Sequence, residues 1–426
     1  MIALAIPFLG FLVLLVVALV VRRREVFHPS VVLSALYVAM AALSILYGVT
    51  TEVVSQLPDD AVESTTLLLF LISVSLVPSF LIKNPHFDLG LAKHGPGTMA
   101  CGIAAVAGIV GFICLLPPFI ASLSIDAYAS KNLGETAVAQ GGTPFVTVGS
   151  FVSAFSCIFG LLLFSDTKWQ LGWIVRVGLL IGFLNYGVVM ECNKSRDFVV
   201  YYIFYFLLYF WLFRHKWRWT MKAFYYVCVV CVVGGGAALF TVKTVQRFGH
   251  SDAWSAPVLD GTAGYLGQQV STFIEVAEEP DIVEGHAQMD FPVYFYVLNG
   301  EWVDVSQLLA QRTKAIESGF STYVGSLFLA IGRRWAVAAV LLSAVSAFAF
   351  FSRPTQRSPG TYVVGIMLYY QILFQGVFYW MQGGRFGNGF IIVMLLLGIT
   401  LYFKWGCRPA VSRLLKNSPG EGTRPT

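Results

Sequence analysis

The chain has 426 residues, of which 57% are apolar and 12% charged, against roughly a quarter charged in soluble proteins. That balance excludes an ordinary soluble fold. The net charge of +5 does not indicate nucleic acid either, because the basic residues sit in short clusters between apolar runs.

Runs of about 17 to 22 apolar residues recur along the chain, each able to cross a hydrocarbon layer of about 30 Å at about 1.5 Å per residue. The expected fold is all-α and polytopic, with about 11 transmembrane helices and one large outer loop, which the resemblance given below makes periplasmic. The first span covers about Ile2–Val21 and stops at Arg22, Arg23 and Arg24, which places that end in the cytoplasm. Those charges follow the apolar run instead of preceding it, and no small-residue cleavage pattern ends it. The run therefore reads as a retained span with the N-terminus outside. His28, Pro29 and Ser30 open the second span, to about Tyr47. An acidic connection through Glu52, Asp59, Asp60 and Glu63 leads to the third, about Thr65–Ile82, and Lys83 to His94 forms an inner return. The fourth span runs about Thr98–Ile120, and the segment Ser122 to Pro144, nearly free of Lys and Arg, is expected outside.

The fifth span, about Phe145–Phe164, turns tightly through Ser165–Gln170 into the sixth, Leu171–Met190. An ionic turn from Glu191 to Asp197 follows. The seventh span, Phe198–Phe213, is dense in Tyr, Phe and Trp, which suits lipid contact and interface anchoring. Arg214, Lys216, Arg218 and Lys222 return the chain to the inside, and an eighth span is expected over about Phe224–Val242.

Residues 243–320 then form the large outer loop, which carries more ionisable groups than any other segment. The apolar piece Ser321–Ile331 is too short to span and reads as a partly inserted or elbow helix ending at Arg333 and Arg334. Spans over about Trp335–Phe351, Tyr362–Trp380 and Gly389–Phe403 follow, joined by an inner return at Arg353 and Arg357 and an outer turn, Met381–Asn388. The chain thus divides into an N-terminal bundle (1–242), the loop (243–320), C-terminal helices (321–403) and a basic cytoplasmic tail (404–426).

The seven cysteines give no disulfide framework, since all but Cys192 fall within or at the edges of spans. The Cys228–Cys231 pair lacks neighbouring ligands, so neither a metal nor a cofactor is expected. Arg196, Arg247, Arg312, Arg333 and Arg385 stand on outer segments, against the usual positive-inside bias. A guanidinium presents a planar fork of donors matched to phosphate oxygens, so these five are candidate diphosphate ligands. The alternative is that each pairs with a local acid and orders its turn. His250 and His286 are the outer histidines, candidates for a base toward a sugar hydroxyl or ordinary surface residues. The acids from Glu275 to Glu284 read as a solvated face, though one could serve as the base. Loop aromatics such as Trp254, Phe273 and Trp302 could stack on sugars or form the loop's own core.

Three stretches carry a family resemblance: "VFHPSVVLSALYVAM" opening the second span, "KSRDFVVYYIFYFLLYFW" with its arginine at an outer mouth, and "STYVGSLFLAIGRRWAVAAVLL" after the large loop. Together with the topology, they resemble the O-antigen or oligosaccharide repeat-unit polymerases of the Wzy type. The resemblance implies a GT-C-like membrane glycosyltransferase that needs no metal and acts at the periplasmic face of the bacterial inner membrane. Its substrate would be an undecaprenyl-diphosphate-linked oligosaccharide, and its partners membrane lipid and a chain-length regulator protein. Arg196 is the best positional match to the family's outer arginines, with Arg247, Arg312 and Arg333 next. A ligase delivering finished glycan to a lipid core shares the same chemistry. A flippase is the rival of another class, against which the near absence of charge within the spans, Arg176 excepted, counts.

Overall fold

The computed structural model describes residues 1–23, 25–50, 57–58, 60–85, 96–123, 144–166, 170–192, 197–217, 255–278, 322–354, 359–377 and 390–399, with scattered residues between 219 and 242. Among the described residues the chain is all-helical, without strands. The first four helices are α1 (Ile2–Val21), α2 (Pro29–Thr50), α3 (Ala61–Leu76) and α4 (Pro96–Leu123). They are followed by α5 (Pro144–Ser153), α6 (Ser156–Ser165), α7 (Trp173–Cys192) and α8 (Asp197–Phe213). Next come α9 (Ser255–Glu278), α10 (Thr322–Ile331), α11 (Arg333–Ser352), α12 (Pro359–Gln375) and α13 (Phe390–Ile399). Six of the described helices are long and apolar enough to cross a membrane, or seven if the pair α5 and α6 counts as one bent span.

Local chemistry sets the breaks. Pro78 has no N–H to give, so α3 tightens into a short 3-10 turn, Val77–Leu81, and ends with Ile82 extended. The run expected as one fifth span is broken by 48° between α5 and α6. There Ala154 and Phe155 donate to carbonyls three residues back, at 3.2 and 3.1 Å, in place of the helical four.

Segments expected as inner turns gather at one end of the bundle. His28 caps α2: its carbonyl accepts from the Val31 and Val32 amides at 2.9 and 3.1 Å. The imidazole Nδ1 lies 3.2 Å from the Ser30 amide and 2.8 Å from the Ser30 hydroxyl, while Nε2 lies 3.0 Å from the Ile82 carbonyl. An amide donating to Nδ1 leaves Nε2 carrying the proton, so this geometry selects one neutral tautomer. Arg22 donates to the Phe80 carbonyl at 2.5 Å, Asn84 to the Trp211 carbonyl at 2.9 Å, and the Lys83 amide to the Tyr362 hydroxyl at 3.1 Å. Arg214 pairs with Glu25 at 3.0 Å. Four chain segments are thereby tied together at this end: 22–30, 80–84, 211–214 and the start of α12.

The aromatic helix α8 corrects the expectation of lipid contact. Tyr201, Tyr205, Tyr209 and Trp211 are all 2% exposed or less, which puts this helix at the centre of the bundle. The reason is polar. Each tyrosine ring fills interior space, and each hydroxyl finds a partner: Ser156 for Tyr201 at 2.6 Å, Gln371 for Tyr205 at 2.5 Å, and the Cys157 carbonyl for Tyr209. On its other face Tyr202 donates to the Phe183 carbonyl at 3.1 Å and accepts from the Gly187 amide at 2.8 Å. A lipid-facing position would leave those hydroxyls unpaired in hydrocarbon.

Small residues let α4 and α7 approach closely. A Cβ placed on Gly108 would stand 2.7 Å from the Gly182 Cα and 2.8 Å from the Gly178 carbonyl. Asn185 donates across the same seam to the Gly108 carbonyl at 2.9 Å. The charge in this part of the sequence, Arg176, is paired with buried Asp166 at 2.9 Å.

Within the segment expected as a loop, α9 is a helix packed on α2. A Cβ on Gly267 would run into the Leu43 carbonyl, and Val270, Phe273, Ile274 and Val276 are buried.

Candidate functional site

Of the candidate residues read from the sequence, Arg333 falls in the described structure. Arg196, Arg247, Arg312 and Arg385 lie outside the described residues, as do His250 and His286. The elements that place Arg333 are α10, α11 and the turn between them.

α10 and α11 are separated by one residue. Gly332 has φ 79° and ψ 155°, a backbone region that glycine alone occupies without strain, and it turns the chain from one helix into the other. α10 is buried along its length from Thr322 to Ala330. It begins at Thr322, whose φ of 65° is unusual for a β-branched residue, with the Thr322 hydroxyl accepting from the Gly325 amide at 3.4 Å. The Tyr323 amide donates to the Gly376 carbonyl at 2.8 Å, joining this helix start to the end of α12. Phe273 of α9 and Phe328 of α10 sit 5.3 Å apart, so α9 is held against the same element.

Directly after Gly332, Arg333 and Arg334 open α11. Arg333 lies 3.3 Å from Glu63 in the first turn of α3, an ion pair with both side chains open to solvent. This pair marks the end of the bundle away from His28, since α3 and its 3-10 continuation carry the chain about 27 Å from Glu63 to Leu81 at about 1.5 Å per residue. Arg334 is exposed. At the same end partial burial raises the Glu275 carboxyl of α9 from its ordinary value.

From Ile331, at the end of α10, a cleft of about 650 Å³ runs down between the helices. α11 packs on α3, its 3-10 extension and α10, while the next helix in the chain, α12, contacts α2, and the cleft occupies the space between α11 and α12. Ile331 lines its upper part, Ala347, Val364 and Gly398 its walls, and Phe350 and Phe351 its lower end. The lower end is closed by rings: Phe350 stacks on Tyr362 at 5.9 Å and Phe351 meets Tyr369 edge-on at 5.2 Å. Polar groups in the wall are engaged with one another. Tyr323 donates to the Ser75 hydroxyl and Tyr369 to the Ser75 carbonyl, both at 2.6 Å, which pins α10 and α12 to α3. Among the described residues no histidine, cysteine, Asp, Glu, Lys or Arg lines the cleft. Its chemistry is therefore that of binding an apolar body.

Sequence reasoning located Arg333 and Arg334 by their position after an apolar run, but missed Ser75, Tyr323 and Tyr369. Their signal was absent, because a Ser or Tyr within an apolar run says nothing about which helix it faces. Among the described residues no three His, Cys, Asp or Glu side chains gather as a metal set. Comparison with protein-family models, with curated proteins and with solved structures returns no match to this chain.

Proposed function

We propose that this chain is a GT-C-like glycosyltransferase of the bacterial inner membrane, with about eleven spans, a periplasmic N-terminus and a cytoplasmic C-terminus. It polymerises undecaprenyl-diphosphate-linked oligosaccharide repeat units at the periplasmic face. The observation that carries this reading is Arg333 opening a long apolar helix at the end opposite the Arg22, His28 and Arg214 junction, two residues after Ile331, which lines an apolar cleft. A phosphate group over a hydrocarbon chain is the ligand with matching charge and polarity.

In the reaction the bond from the anomeric carbon to the diphosphate oxygen breaks as the acceptor hydroxyl oxygen attacks. The leaving diphosphate gains negative charge, which guanidinium groups at Arg196, Arg247, Arg312, Arg333 and Arg385 would stabilise. The hydroxyl proton would pass to His250, His286 or a loop carboxylate. A flippase would instead want charged groups facing its central passage, and among the described residues the cleft wall carries none. A ligase would use the same groups on a different acceptor.

Deletion in the host, with surface polysaccharide resolved on a gel, tests the reading. Single-repeat products are expected, and an unchanged ladder would overturn it. Arg196→Ala should shorten the chains with the protein still inserted in the membrane, and a normal ladder would remove Arg196 from the site.

A further inference from the structure

The cleft between α11 and α12 is a gap whose dimensions restrict what can fill it. Along α11 its wall runs from Ala339 to Phe351, about 18 Å at about 1.5 Å per residue. A volume of about 650 Å³ over that length gives a section of about 36 Å². An α-helix with its side chains is about 10–12 Å across, a section of about 80 Å² or more, so neither a helix of a second copy nor one from another protein fits. A single hydrocarbon chain does. One leaflet of a hydrocarbon layer about 30 Å thick is about 15 Å deep, so a lipid chain has the matching length as well.

The way in is from the side. Leu395 and Ile399 of α13 line the cleft and are 49% and 51% exposed, and Ser343 and Ser346 of α11 line it and are exposed too. The opening therefore lies on the flank of helices apolar enough to stand in hydrocarbon. Water finds few partners inside. Ser343 turns its hydroxyl back to the Val340 carbonyl at 2.8 Å and Thr361 donates to the Gly398 carbonyl at 3.4 Å, while Tyr323 and Tyr369 are spent on Ser75. Nor is there a charge to select a head group. Among the described residues no cation lines the cleft, Arg333 is paired with Glu63, and Arg334 is exposed and outside the lining.

We infer that this cleft seats one acyl chain of a membrane glycerophospholipid, admitted through the flank, with the head group left at the bilayer surface and not recognised. Wall contacts from Ala347, Val364 and Gly398 replace the chain's neighbours in the bilayer, and the gain is dispersion, since hydrocarbon surrounds the chain in either place. Phe350, stacked on Tyr362, closes the lower end and limits the length of chain accepted. The lipid is thus a packing element of the C-terminal helices and not a substrate. The inference requires these helices to stand in a bilayer and takes nothing from the polymerase reading.

The test uses the full chain in detergent with added lipid, and native mass spectrometry counts the lipids retained. Dipalmitoyl phosphatidylcholine and dipalmitoyl phosphatidylglycerol should be retained equally, and dioctanoyl phosphatidylcholine on the order of tenfold less. Two substitutions fill the cleft. Ala347→Phe enters from α11, and Gly398→Phe from α13, where an added Cβ stands 3.7 Å from the nearest atom, on Val364, an ordinary contact. Each should lower retention of the dipalmitoyl lipids on the order of tenfold. Leu342→Phe, on α11 but outside the lining, and Arg334→Ala should both behave as the unaltered chain. Should a filled variant fail to elute as a folded species, the comparison of chain lengths on the unaltered protein decides. Unchanged retention in both filled variants, or dioctanoyl lipid held as well as dipalmitoyl, overturns the proposal. So does a preference on the order of tenfold for phosphatidylglycerol that Arg334→Ala removes, which would make the head group the ligand. Retention is measured without glycan synthesis, so an unchanged polysaccharide ladder counts against the polymerase reading alone.

Discussion

Acidification should weaken the bundle through His28, and the size of the effect can be worked from its surroundings. Burial first, then the Arg22 guanidinium, pushes the imidazole down from its usual 6.5 to about 4. Arg214 acts in the same direction, while the hydrogen bond to Ile82 and the Glu25 carboxylate act against it. The folded protein therefore holds the neutral ring, and the unfolded chain binds the proton more readily. Stability from this group is complete above about pH 6.5 and is lost as pH falls toward 4. With these two values the loss is about 2 kcal/mol at about pH 5 and about 3 kcal/mol below about pH 4. Hydrogen bonding gives the same sign, since a proton on Nδ1 would face the Ser30 amide that donates to it. Thermal unfolding of the purified chain in detergent, followed at about pH 7.5 and about pH 5, should show a drop of a few degrees for the unaltered protein. His28→Gln keeps a donor toward Ile82 but cannot titrate. It should start about 1 to 3 kcal/mol lower at neutral pH and then lose less on acidification. An unaltered protein that is equally stable at both values, or a His28→Gln variant that falls in parallel with it, would refute the reasoning.

Other substitutions test separate parts of the structure. Gly332→Ala should cost about 1 to 3 kcal/mol, read as a lowered unfolding temperature, because φ 79° with ψ 155° is a region a side chain avoids. Gly108→Leu should reduce folded yield by size-exclusion chromatography, with overpacking of about 1 to 3 kcal/mol or more, since backbone of α7 lies on both sides of the new Cβ. A double-mutant cycle between Tyr205→Phe and Gln371→Leu should give a coupling of about 0.6 to 2 kcal/mol for their hydrogen bond in thermal unfolding. Arg333→Ala should change stability by less than about 1 kcal/mol, because its partner Glu63 is exposed, yet shorten the polysaccharide ladder.

The run of residues along the chain was enough to determine that it forms apolar helices long enough to cross a membrane, and where many of them begin. Hydrocarbon cannot satisfy backbone polar groups, so a long apolar run has one local solution. Ile2–Val21 is readable for that reason, and so is the start of α2, where Pro29 takes the first helical position. Arg333 could be singled out because an arginine pair after a short apolar run is conspicuous in one dimension.

Tertiary structure decided which faces meet. The tyrosines of α8 follow the same pattern whether they point to lipid or to the interior, and it is partners brought in from other helices, among them the Ser156 hydroxyl and the Gln371 amide, that make the interior favourable. α9 became a buried helix because α2 offers bare backbone at Leu43 to Gly267. The cleft exists because α11 and α12, adjacent in sequence, each pack better on other helices than on one another, and a space between elements has no residues of its own from which a sequence could announce it.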